Sequence, residues 1–202
     1  MEGLPGMNEQ FWWFLSRASG IVAWGLLCAA IVWGILLSTR LMRQVDRPAW
    51  LLDLHKWFAA LSIAGVAIHL AALVADSYVE FGWRELAIPM ASTWQPGPVS
   101  WGIIATYFLI VIQLTSLLMK KLPRRFWYLI HLTSYVMFAM TSIHAFAAGT
   151  DASNDLFLIF GAMLITLVIA LTVVRVLYAM RPAKHERNPR SPRSTPAAAS
   201  EQ

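Results

Sequence analysis

Four histidines stand inside apolar stretches of this chain, His55 and His69 in one and His131 and His144 in another. The fifth, His185, lies among Pro, Arg and Ser near the C-terminus and reads as a solvated residue. An imidazole within strongly apolar sequence is costly and marks a functional site. A single one reads as a ring satisfied by a neighbouring hydroxyl or carbonyl; two on each of two stretches, and none on any other, do not. Each neutral ring offers one nitrogen lone pair, and two rings facing each other fill both axial positions of a haem iron. Zinc prefers four N, S or O ligands gathered in one tetrahedron. Here the separations of 14 and 13 residues spread the ligands over roughly 21 and 19.5 Å of helix.

The elements that must carry these rings are membrane helices. Of the 202 residues, 58% are hydrophobic and 13% charged, against about 25% charged in average soluble usage. The apolar residues gather in runs at about 18–39, 50–75, 99–119, 126–148 and 155–179, each long enough to cross the ~30 Å hydrocarbon layer as a helix. The first run lacks the basic leader and cleavage pattern of a signal peptide, with Glu2, Glu9 and Arg17 before it, and reads as a retained helix. The expected fold is an all-α membrane protein, a five-transmembrane-helix bundle over 18–179, between an extracytoplasmic segment 1–17 and a disordered basic cytoplasmic tail 180–202. Cys28, within the first run, reads as a packing residue.

Charge sets the orientation. Arg40, Arg43 and Arg47 occupy one gap, Lys120, Lys121, Arg124 and Arg125 another, and Arg181, Lys184, Arg187, Arg190 and Arg193 the tail. The alternate gaps hold Asp76, Glu80 and Glu85 against Arg84, and then Asp151 and Asp155. Basic loops stay in the cytoplasm, so the N-terminus is expected outside and the C-terminus inside. The net charge of +5 is thereby explained by topology, without nucleic acid. In the loop 76–98, Phe81, Trp83 and Trp94 are expected in the headgroup layer.

Spans two and four then run in the same direction. His55 pairs in depth with His131 near the cytoplasmic face, and His69 with His144 nearer the outside. Ala59, Ala60, Ala64, Gly65 and Ala67 between the first two histidines, and Ala139 and Ser142 between the second two, leave room for flat macrocycles and close helix approach. A straight helix brings the 14-residue pair within about 40° of one face but leaves the 13-residue pair about 140° apart. Curvature, helix crossing or a local irregularity must therefore contribute, and the spacing does not choose among them.

At these residues the chain resembles the ferric reductase-like transmembrane domain, shared by ferric reductases, NADPH oxidases and small bacterial relatives. The stretches that carry the likeness are SRASGIVA (16–23), LHKWFAALSIAGVAIH (54–69) and 124–151, with RRFWYLIH and HAFAAGTD, and with them the double spacing H-x13-H and H-x12-H. The likeness spans roughly 11–178. It implies two b-type haems, the inner on His55 and His131, the outer on His69 and His144. Lys56 and Arg125 are candidate partners for the inner haem's propionates and Arg17 for the outer's; interfacial anchoring is the alternative for each. The aromatics Trp57, Phe58, Trp127 and Tyr135 are expected against the porphyrins, lipid or other helices, and Arg175 is expected to snorkel to the headgroups. Larger members add a sixth helix and a flavin and nicotinamide module. No G-x-G-x-x-G fingerprint occurs here, so flavin and NAD(P)H are expected on a separate partner protein.

The expected function is the haem-bearing membrane component of an oxidoreductase in the bacterial plasma membrane. It would pass electrons from a cytoplasmic flavoprotein to an extracytoplasmic acceptor such as ferric iron, oxygen or a redox partner. Two other readings stay open: a non-catalytic haem-bearing anchor subunit, and a histidine-based metal transporter.

Overall fold

Long apolar runs in a medium without hydrogen-bonding solvent must satisfy their own backbone, and the helix is the form that does so. A computed structural model describes residues 5–39, 49–76 and 81–180, with the side chains of 5–9 and 152 left aside. They form α1 (Pro5–Thr39), α2 (Ala49–Ala75), a short α3 (Trp83–Ala87), α4 (Pro96–Leu117), α5 (Arg124–Leu132), α6 (Ser134–Ala148) and α7 (Asp155–Met180), with a 3-10 turn at Thr150–Ser153. Among the described residues, five stretches are long and apolar enough to cross a membrane: Gln10–Thr39, Ala49–Ala75, Pro96–Leu117, Arg124–Ala148 and Asp155–Met180. The protein is an integral membrane protein of the expected all-helical class. The gap 40–48 and the tail from 181, with their basic residues, lie outside the described residues.

The first helix begins well before the expected 18 and forms the axis of the bundle. Its Trp24, Leu27, Cys28, Ile31 and Ile35 pack with Ala105 and Ile112 of α4, Met137 and Phe138 of α6 and Val168 of α7. Cys28 is fully buried there, as a packing residue should be. α2 lies antiparallel along α1, so close at Gly65 that a Cβ there would stand 2.9 Å from the Cβ of Ala23. Small residues allow such approach where lipid gives no hydrophobic drive. α4 lies along α6 in the same way. The hydroxyls of Ser16, Ser19, Ser62, Thr106, Thr141 and Thr172 bond back to carbonyls three or four residues earlier, which satisfies them without solvent.

The fourth span is interrupted between its two histidines, so of the three causes left open a local irregularity is present. Between α5 and α6 the N–H of Thr133 reaches the carbonyl of Ile130 at 3.0 Å, and its hydroxyl the same oxygen at 2.6 Å. A three-residue turn winds about 20° more per residue than an α-helix. The overwinding turns His144 back toward the face of His131.

The long loop departs from expectation. Phe81 is buried and packs with Val99, Ile103, Leu73, Leu86 and Trp94, because α3 folds back over the end of α4, tied there by the Tyr107 hydroxyl to the carbonyl of Ala87. Of the three aromatics expected in the headgroup layer, Trp83 alone is strongly exposed.

Candidate functional site

The helices that carry the histidines do not pack closely on one another. α2 is carried by α1, and α6 by α4; across the gap between the two pairs the rings reach toward each other. The ring centres of His55 and His131 stand 6.0 Å apart, and those of His69 and His144 6.4 Å apart. Two imidazoles binding one metal from opposite sides have ring centres about 6.2 Å apart, from a bond of about 2.0 Å and about 1.1 Å from each nitrogen to its ring centre. The two pairs therefore fit an iron held between each. Among the described residues, no three of His, Cys, Asp and Glu come together as a metal site, so a tetrahedral four-histidine centre is not formed.

Three of the four rings are aimed by one repeated device. Nδ1 of His69 donates to the carbonyl of Ser16 at 2.6 Å, Nδ1 of His55 to that of Ala30 at 2.8 Å, and Nδ1 of His144 to that of Pro98 at 2.9 Å. A carbonyl can only accept, so Nδ1 carries the proton and Nε2 keeps the lone pair, the state a metal needs. In each case the residue four places beyond the carbonyl is a glycine: Gly20, Gly34 and Gly102. A Cβ there would stand 3.0 Å from His69 Nδ1, 3.3 Å from His55 Cε1 and 2.8 Å from His144 Nδ1. Missing side chains on α1 and α4 make the seats in which the imidazoles lie.

The fourth ring is held differently. His131 Nδ1 is buried and has no hydrogen-bond partner among the described residues; its ring stacks on Trp127, with centres 5.1 Å apart at 25°. Arg175 turns inward rather than snorkelling. It donates to the Tyr135 hydroxyl at 2.6 Å and the Tyr128 hydroxyl at 3.4 Å, and its guanidinium lies 5.7 Å from the Tyr135 ring centre. Those tyrosines flank His131, so a cation stands on the histidine's own side of the bundle.

Around His69 and His144 lies a partly open cavity of about 400 Å³, lined also by Gly20, Trp24, Gly102, Met137, Phe81 and Trp94. That is within the ordinary range for a small-molecule or cofactor site. Arg17 lines it, as expected of an outer-site residue, but its charge is spent: it is ion-paired to Asp151, with Nε 2.9 Å from Oδ2, and lies 4.0 Å over the Trp13 ring. Lys56 is exposed and 3.3 Å from Asp53, and Arg125 is exposed. Trp57 is exposed, while Phe58 packs edge-on against Trp33. Sequence reading missed the seats, although three small-xxx-Gly patterns, Ser16/Gly20, Ala30/Gly34 and Pro98/Gly102, were open to it.

Comparison with curated proteins and with solved structures returns no match. A family model described as "Ferric reductase like transmembrane component" matches residues 19–142. The match takes in His55, His69 and His131, and Gly20, Gly34 and Gly102, and stops two residues short of His144. With more than half of its length so matched, the chain belongs to the family of ferric reductase-like transmembrane components.

Proposed function

We propose that this protein conducts electrons across the bacterial plasma membrane through two b-type haems, one between His55 and His131 and one between His69 and His144. The observation that carries the reading is the pair of ring separations, 6.0 and 6.4 Å, at two depths of helices that otherwise stand apart. Membership of a family whose domains are generally haem-binding supports it. Bound haem supplies a one-electron Fe(III)/Fe(II) couple. The chain supplies the rest. The carbonyls of Ser16, Ala30 and Pro98 orient three imidazoles, and Trp24, Leu27, Met137 and Phe138 fill the space between the two levels with dry, close-packed matter. His55 with His131, and His69 with His144, would hold each group from both sides, so an acceptor would be reduced without binding to the metal.

The basic gaps put the His55/His131 pair near the cytoplasm, where a separate flavoprotein using NAD(P)H delivers electrons. The acceptor outside is ferric iron, oxygen or a redox partner. The test has two arms. The purified chain should show two b-haems in a reduced-minus-oxidised spectrum; a colourless protein ends the proposal. In proteoliposomes, NADH and a flavin reductase on the tail side should reduce a ferric chelate on the other. Two haems without transfer to any acceptor would leave the anchor-subunit reading in its place.

A further inference from the structure

Arg175 is a cation inside the last span, half-buried on α7 near its end. An arginine at such a place can reach along its helix for the headgroups. This one turns inward to the hydroxyls of Tyr135, at 2.6 Å, and Tyr128, at 3.4 Å. The two bonds fix its level. Tyr128 comes three residues before His131 and Tyr135 four after it, about 4.5 and 6 Å along the axis on either side. A guanidinium bonded to both therefore stands between them in depth, at about the level of His131. The bonds also fix its side. At ~100° per residue both tyrosines fall within roughly 60° of His131 around the helix, in the same direction, and the overwound turn at Thr133 carries Tyr135 somewhat further round. The cation stands beside His131 and not across the helix from it.

Its charge is not cancelled locally. The ion pairs among the described residues are Arg17 with Asp151 and Lys56 with Asp53; the groups that Arg175 bonds are neutral hydroxyls. The outer pair differs, since Asp151 neutralises the Arg17 that lines its cavity. Lys56 and Arg125 are exposed, where water and salt screen them, whereas a charge within the bundle is screened far less. Both histidine pairs offer the same ligand type, so a difference in their affinity for an electron must come from the surroundings. We infer that Arg175 raises the reduction potential of the iron held by His55 and His131 and leaves that of the outer iron alone, an assignment that rests on the haem reading of the two pairs. A fixed positive charge stabilises the site more after an electron arrives than before. Tyr128 and Tyr135 position the guanidinium; Arg175 acts at a distance, through its field, and favours entry of the electron at the inner pair.

The test uses the full chain with its haems and the variants Arg175→Gln, which removes the charge, and Arg175→Lys, which keeps it. A redox titration reads both midpoint potentials, and the inner haem is identified as the one absent from His55→Ala. The expected result is a fall in the inner midpoint potential in Arg175→Gln, with the outer one unchanged, and a value near wild type in Arg175→Lys. No change in Arg175→Gln, equal changes in both haems, or a fall in Arg175→Lys as large as in Arg175→Gln would each overturn the assignment. If Arg175→Gln loses its inner haem, the lysine variant decides: haem retained near the wild-type potential supports the role of charge, and haem lost overturns it. A wild-type chain without haem would overturn the proposed function itself, which separates the two failures.

Discussion

If missing side chains at Gly20, Gly34 and Gly102 are the seats of the imidazoles, then adding one methyl should unseat one ring and leave the fold standing. Gly102→Ala is the sharpest case. The new Cβ would lie 2.8 Å from both Nδ1 and Cε1 of His144 and 3.0 Å from Cγ, about 0.7 Å inside ordinary contact. The ring is blocked along its edge and cannot rotate clear while keeping its 2.9 Å bond to the carbonyl of Pro98. Losing that bond costs about 1 kcal/mol and the crowding about 1–3 kcal/mol more. Together they should weaken the outer haem by roughly 30- to 700-fold, at 1.4 kcal/mol per factor of ten. The helix itself loses nothing, since Ala is the better helix former by about 1 kcal/mol. Gly20→Ala, at 3.0 Å from His69, should weaken the same haem less, and Gly34→Ala, at 3.3 Å from His55, should weaken the inner haem least. Gly97→Ala and Gly25→Ala meet nothing within 4 Å and serve as controls. Haem per chain by pyridine haemochrome, with a redox titration to tell the two apart, reads the series. Full occupancy and unchanged potentials in Gly102→Ala, or equal losses in Gly97→Ala, would refute the seat.

Other outcomes follow from the same geometry. His69→Ala and His144→Ala should each remove one and the same haem and leave the other, read by spectrum and occupancy; loss of both from a folded variant would mean that the pairs are misassigned. Among the described histidines His131 alone lacks a carbonyl anchor, so carbon monoxide should add to the reduced inner haem before the outer; uptake by the outer haem first would contradict the asymmetry. The ring planes stand at 66° and 77°, and crossed axial imidazoles bring two iron d orbitals near degeneracy. Both oxidised haems should give highly anisotropic low-spin EPR signals, and a rhombic spectrum of parallel rings would show that the rings turn when the cofactor binds.

The spans were legible because hydrocarbon thickness imposes a length and apolar composition is a direct readout of it. The pairing of His55 with His131 and of His69 with His144 was legible because depth along a helix is residue count times rise. Rotation about the axis was not, since one overwound turn at Thr133 is decided by a local competition for the carbonyl of Ile130 that no periodicity encodes. The charged candidates failed for a related reason. Arg17 and Asp151 are 134 residues apart, and Arg175 turns toward Tyr135 rather than the headgroups; sequence gives a cation's depth but not its partner. Phe81 was misplaced because an aromatic near the interface can face headgroups or close a cavity, and the choice is made by how α3 folds back on α4.

A bundle in lipid cannot draw on hydrophobic burial between its helices, since the tails outside are as apolar as the side chains within. What remains is close packing and hydrogen bonding, and in this protein both converge on the histidines. The bonds from His55 and His69 are polar ties between α2 and α1, and the bond from His144 ties α6 to α4. The glycines that seat the rings also let those helices approach. The interactions that hold each pair of helices together are thus the same ones that set tautomer and direction of the ligands. α1 packs on α4 and α6, but α2 and α6 stay apart, and there the proposed cofactors would join them. On this logic the ligands are preorganised before the cofactor arrives, at three positions of four, and the bundle should gain most of its rigidity across the α2–α6 seam only when both iron sites are filled.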